Sequence, residues 1–191
     1  VQVEETFELA GRTLTLLRQP SADELIDETA FAHEEFLPYW AELWPSGVAL
    51  AAHVGALDLR GKRVLELGAG LGLPSLAAAV RGGDVLATDW AEDAVDLLRA
   101  NAARNAVELR SEVARWDDYE RFGTGWDVVL GADLLYEQRN ADQLLELLPR
   151  LAAAEILLAE PGRPFAKEFL ARWDVDEVED RLYRLRCLRS S

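Results

Sequence analysis

The chain has 191 residues, with 20 Lys plus Arg against 35 Asp plus Glu and a formal net charge of −15. That length fits one domain with a real core, and 50% apolar with 29% charged residues marks a globular chain, not a disordered one. Such acidity disfavours a broad grip on nucleic acid, which begins with a basic surface, and is compatible with cationic partners, including a lysine-bearing protein.

One cysteine, Cys187, excludes an internal disulfide and a Cys-rich metal site. It lies in the alternating run Leu182–Leu188 and is expected as a buried structural thiol. His33 and His53 do not make a zinc motif, so no metal is expected. No stretch approaches the roughly 18 consecutive apolar residues of a membrane span. The start, VQVEETFEL, lacks the basic and apolar regions of a signal peptide. No membrane association and a cytoplasmic location are therefore the expectation.

Residues 1–45 carry ten acidic side chains and two basic ones, about half of the whole charge deficit. Val3–Leu9 and Thr13–Leu17 read as two strands meeting at Ala10-Gly11, a tight hairpin. Ser21 with Glu24 is a capping-box pattern opening a short acidic helix over 22–31. FLPYWAELWPSG follows, with four aromatics in nine residues; it is either a brace over the core or a wall of a ligand pocket.

From Lys62 the pattern becomes regular. Arg63–Leu67 reads as a strand buried on both faces, Leu73–Val80 as a helix, and Asp84–Thr88 as a second strand. Ala91–Asn105 carries apolar residues at 91, 94, 95, 98 and 102, one face of a helix. Val107–Ala114 and Trp126–Gly131 are predicted strands, Gln138–Leu151 an amphipathic helix, Glu155–Ala159 a fifth strand and Phe165–Trp173 another helix. Asp174–Val178 and Leu182–Leu188 alternate around Glu179-Asp180-Arg181 and predict an antiparallel hairpin. Strands alternating with helices imply right-handed crossovers and a doubly wound α/β fold. The expected division is an acidic N-terminal extension over 1–45 and a single compact domain over 46–191.

In such a sheet ligands bind beyond the carboxyl ends of the strands, so the residues after each strand are the ones to read. After the first comes Glu66-Leu67-Gly68-Ala69-Gly70-Leu71-Gly72, whose alternate glycines permit a tight turn and close approach to the backbone. A dinucleotide fingerprint wants its third glycine where Leu73 stands, and Glu66 opposes a pyrophosphate. A cationic, phosphate-free nucleoside of the S-adenosylmethionine kind fits better. Asp89 ends the second strand, placed to accept hydrogen bonds from ribose hydroxyls or to cap the next helix. Trp90 beside it is placed to lie along an adenine face. Trp116-Asp117-Asp118, after the third strand, offers an aromatic ring and carboxylates to a base, or a turn cap. After the fourth strand Asp133 and Tyr136 are three apart, spaced to face one site or to cap the helix near 137. Glu160-Pro161-Gly162-Arg163-Pro164 is a rigid charged loop after the fifth strand, or an ordinary turn.

Taken in order, these residues resemble the class I, seven-β-strand S-adenosylmethionine-dependent methyltransferases, and more narrowly the protein-lysine methyltransferase branch. The motifs are Leu43-Trp44-Pro45-Ser46-Gly47, Val64 through Gly72, the spaced Asn101 and Asn105, and Asp133 to Tyr136. PYWAELWPSG and Glu160-Pro161-Gly162-Arg163 are most similar to the enzymes that modify the electron-transfer flavoprotein beta subunit. The likeness covers residues 36–165, and Glu160 stands where those enzymes are expected to carry aspartate. It implies a mostly parallel, Rossmann-like seven-stranded sheet with an antiparallel last strand. It also implies S-adenosyl-L-methionine as cofactor, lined by Trp44, Glu66, Gly68, Gly70, Gly72, Asp89, Trp90 and Trp116. Asp133 and Tyr136 would sit at the transferred methyl, with Tyr39, Trp40, Glu160 and Arg163 toward the substrate. The acceptor expected is a protein lysine. Transfer to a small molecule, a nicotinamide dehydrogenase, and a non-catalytic binder of the same cofactor stand as the alternatives.

Overall fold

The computed structural model describes residues 3–18 and 39–187, so the expected acidic helix over 22–31 lies outside the described residues. β1 (Val3–Leu9) and β2 (Arg12–Arg18) pair antiparallel, Val3 opposite Arg18 and Leu9 opposite Arg12. Ala10 at φ 56° and Gly11 at φ 73° make the turn. That left-handed pair matches the twist of a two-residue hairpin. The hairpin buries Leu14 and Leu16 completely and keeps Glu4, Thr6 and Glu8 exposed.

After a short 3-10 turn at Tyr39–Ala41 comes a helix that the sequence did not announce, α1 (Pro45–Ala56). Pro45 at its first turn presets φ for the helix. Its small apolar residues run almost all round and leave a faint period, though Leu50, Ala51 and Val54 are the ones buried. The alternation then proceeds as expected: β3 (Arg63–Leu67), α2 (Leu73–Val80), β4 (Asp84–Asp89), α3 (Glu92–Arg104), β5 (Arg110–Val113), β6 (Val128–Ala132), α4 (Gln138–Arg150) and β7 (Glu155–Ala159). α5 (Ala166–Leu170), β8 (Trp173–Glu179) and β9 (Leu182–Cys187) close the described chain.

The sheet runs β5-β4-β3-β6-β7-β9-β8. β3, β4, β5, β6 and β7 pair parallel, while β9 is inserted antiparallel between β7 and β8. The side-chain period of two sorts the strands between two cores. Val64, Val128, Leu130 and Leu157 face α1, α2 and the hairpin residues Leu14 and Leu16. Leu65, Leu67, Val129, Ile156 and Leu158 face Leu144 and Leu147 of α4 and Phe169 of α5. This is the doubly wound, Rossmann-like sheet expected, with its antiparallel strand.

Three local expectations are corrected. β5 holds four residues, not the whole of 107–114; it is an edge strand, paired to β4 alone. α5 stops at Leu170, because the buried Trp173 opens β8 opposite Cys187. Cys187 itself is exposed, not a buried thiol. β9 buries Leu182 and Leu185, and β7 pairs only with Leu182 to Leu185, so nothing from that strand covers the residues beyond. No helix among the described residues is long and apolar enough to cross a membrane.

Candidate active site

Four parallel strands deliver their carboxyl ends to one cavity of about 310 Å³. β3 runs into the turn Gly68–Gly72, whose glycines take φ of 61°, 50° and 82° at positions 68, 70 and 72. The reason for glycine there is protein packing as well as backbone sign. A Cβ on Gly68 would lie 2.7 Å from Leu134 Cδ2, and one on Gly72 2.8 Å from Leu98 Cγ and Cδ1. Gly70 brings the turn against the backbone of Trp40, whose carbonyl oxygen would be 3.1 Å from the added carbon.

Asp89 holds this turn from β4. Its Oδ2 accepts from the Gly70 N–H at 2.9 Å and its Oδ1 from the Ala91 N–H at 3.0 Å. It is 5% exposed, and burial pushes its carboxyl up while the backbone donors pull it down. Helix α3 has Ala91 at its cap and no side-chain cap bond, so capping is not what Asp89 does. Glu66 is 2% exposed and accepts from the Ser75 N–H at 2.9 Å and from the Ser75 hydroxyl. Burial pushes its carboxyl up to about 8, against those two bonds and with the help of nearby Asp89. Ser75 carries no sequence signal for this role; it is found only because α2 starts directly beneath the turn.

Trp90, 42% exposed, and Trp116 line the same cavity. Tyr39, Trp40, Trp44 and Tyr136 line it as well. The Tyr39 ring lies 5.3 Å from that of Tyr136 and 6.4 Å from that of Trp44, both tilted by 56°. Trp44 Nε1–H donates to the Tyr39 carbonyl at 2.9 Å, which fixes the pair. Burial raises the Tyr136 phenol above its ordinary value, a shift that its hydrogen bond with Asn140 moderates. Asn140 also donates to the Leu134 carbonyl at 3.1 Å, so it braces the whole Asp133–Tyr136 segment. Its position four residues after Tyr136 was the available signal.

Asp133 follows β6 in a left-handed conformation, φ 54°, with its N–H donating to the Ala159 carbonyl at 2.8 Å. Its carboxylate does not cap α4, whose cap residue is Glu137. It accepts instead from Arg163 Nε at 2.7 Å and Nη2 at 2.8 Å. Asp133 lies in the cavity wall; Arg163 and Glu160 do not, and meet it through Asp133 and Trp44. The sequence therefore brings its candidate residues to one place, with Glu160 and Arg163 one layer back.

Among the described residues the cavity wall holds three buried carboxyl groups, on Glu66, Asp89 and Asp133, with exposed and half-buried indoles and no lysine; its basic residues are Arg115 and Arg139. No basic side chain belongs to the glycine turn. A group without phosphate and with a positive charge fits this donor set. Among the described residues no cluster of His, Cys, Asp and Glu is arranged to hold a metal ion.

A family model described as lysine methyltransferase matches residues 38–172, from the aromatic 3-10 turn to α5. The chain belongs to the lysine methyltransferase family. Within this family, protein N-lysine methyltransferase METTL21A of Danio rerio is 34% identical over 154 residues, covering 72% of this chain and 70% of the relative. The Homo sapiens electron transfer flavoprotein beta subunit lysine methyltransferase is 32% identical over 143 residues, 66% of this chain and 50% of that protein. The chain thus spans about half the length of the second relative. Among solved structures, a T. thermophilus 16S rRNA methyltransferase in complex with AdoMet and guanosine superposes with a TM-score of 0.67 at 16% identity, over 97% of this chain and 50% of that one. The Pyrococcus abyssi tRNA (uracil-54, C5)-methyltransferase in complex with S-adenosyl-L-homocysteine gives 0.63 at 18%, over 97% and 44%. These two share the fold of the family.

Proposed function

We propose that this chain transfers a methyl group from S-adenosylmethionine to the ε-amine of a lysine in a protein substrate. The observation that carries the reading is one cavity joining two kinds of wall. A glycine turn held by Asp89 and the side chains of Tyr39, Trp44, Tyr136 and Asp133 line the same cavity.

When bound, S-adenosylmethionine supplies a methyl group activated by an adjacent sulfonium cation. Glu66, protonated at about pH 7 through burial, turns toward its carboxylate form beside a bound cation; Asp89 lies next to it, with Trp90 and Trp116 beside the base. The lysine must enter as a neutral amine, although its unperturbed pKa is ~10.4. Enclosure between the Tyr39, Trp44 and Tyr136 rings removes water, and desolvation disfavours the ammonium form. Asp133 accepts a hydrogen bond from the amine and aims its lone pair. Tyr136, kept as the neutral phenol by burial, fixes the geometry beside it. Alignment of this kind is worth about 7–11 kcal/mol of a barrier in favourable cases.

The test is incubation of the purified chain with methyl-labelled S-adenosylmethionine and a cell extract. Label should enter a protein band and hydrolyse to methyl-lysine. Label confined to the small-molecule fraction, or to arginine or a chain terminus, would overturn the reading.

A further inference from the structure

Asp133 is held more tightly than a group that carries protons would be. Its side chain is 6% exposed, and both its oxygens accept from the guanidinium fork of Arg163, at 2.7 and 2.8 Å. The fork is itself fixed. Glu160 Oε1 accepts from the Gly162 N–H at 2.8 Å and the Arg163 N–H at 2.5 Å, curling the loop back on itself. The Glu160 N–H donates to the Arg181 carbonyl at 2.9 Å, tying this loop to the turn between β8 and β9. On its free face the guanidinium carbon stands 5.8 Å from the centre of the Trp44 ring. One cation therefore touches both the carboxylate and an indole that lines the cavity.

A carboxylate in such a fork is held in one orientation by two charge-assisted bonds. We infer that Arg163 is a positioning residue for methyl transfer: it holds the Asp133 carboxyl in the orientation in which it aims the amine. The inference rests on the proposed methyl transfer. In that step the lysine sheds its proton to water. Its lone pair then closes the N–C bond as the donor's C–S bond opens, and the positive charge passes to nitrogen.

The charged and titratable groups facing Asp133 are Arg163 and Glu160 on the loop after β7, with Tyr136 on its own segment and Tyr39 beside Arg163. Taking away the guanidinium leaves a buried carboxylate without the two bonds that hold its orientation. Arg163→Met, which keeps the stem over Trp44, should lower kcat about 30-fold or more while KM for the acceptor changes by less than about three-fold. Affinity for S-adenosylmethionine by calorimetry should stay within about three-fold. Arg163→Lys, a cation without the fork, should recover part of kcat. In an Asp133→Asn background, which removes the buried charge and any folding defect it causes, Arg163→Met should add less than about three-fold.

A loss in R163M that persists in full on the D133N background, no recovery of kcat in R163K, or a kcat of R163M within about two-fold of the parent would each overturn the inference. A parent enzyme that methylates no lysine would instead overturn the function proposed above.

Discussion

Glu66, one residue before the end of β3, turns its carboxyl onto Ser75 and away from water, and that carboxyl is pushed up from 4.5 to about 8. The folded chain thus keeps a proton that the unfolded chain has released between those two values. Its contribution to stability is complete below pH 4.5 and is lost as pH rises through about 8. Glu66→Gln keeps an acceptor for Ser75 and has nothing to ionise. The variant should melt above the parent at alkaline pH, with the gap closing as pH falls toward 5, as differential scanning calorimetry on the ligand-free proteins will measure. It should also bind S-adenosylmethionine more weakly, because a cation beside this site favours the carboxylate. At this scale the sequence said that Glu66 belongs to the site but not what it rests on. The chain places Ser75 nine residues on, across a glycine turn whose path depends on contacts with Leu98, Leu134 and Trp40. Nothing in the local pattern encodes those contacts.

The hairpin of β1 and β2 owes its place to two side chains on another element. Asn105 Oδ1 accepts from the Thr15 N–H at 2.8 Å and its Nδ2 donates to the Thr15 carbonyl at 2.8 Å. Asn101 Oδ1 accepts from the Leu17 N–H at 2.7 Å, and its Nδ2 donates to the Leu17 carbonyl at 3.2 Å and to the Leu71 carbonyl at 3.1 Å. Asn101 on α3 and Asn105 at the cap of that helix, four apart, thereby meet residues two apart on β2, and their amides act as a substitute neighbouring strand. The spaced asparagines were visible in the sequence as a motif; their partners, more than eighty positions away, were not. Asn101→Ala should cost about 2–4 kcal/mol by urea denaturation, since several buried backbone groups lose partners together. Asn101→Asp should cost more, because it turns an oxygen toward the Leu17 and Leu71 carbonyls. Hydrogen exchange should report loss of protection at Leu17 in both. The elements most legible in advance were the buried parallel strands, where continuous apolar runs leave little choice. Least legible were α1, whose small apolar residues give no clear period, and β5, an edge strand with few buried positions.

At the scale of the molecule, the order of strands was readable because crossover helices impose it, and the site was readable because it collects at the ends of those strands. The layering within the site was not. Arg163 belongs to the same short charged loop as Glu160 and looks, in the sequence, like a residue that meets substrate directly. Only the path of the chain beyond it, through α5 and back along β9, shows it bonded to Asp133.

That return path sets the timing of assembly. β8 reaches the rest of the sheet only through β9, and the turn between them supplies the carbonyl of Arg181 that anchors the Glu160 loop. A chain still emerging from the ribosome, with every residue of the donor and acceptor walls already synthesised, would thus lack the buttress behind Asp133 until β9 had threaded between its neighbours. A variant truncated after Glu179 should bind S-adenosylmethionine far better than it turns over, as calorimetry and a methyl-release assay on the same sample would reveal. Turnover would then wait on β9, after donor binding had already become possible.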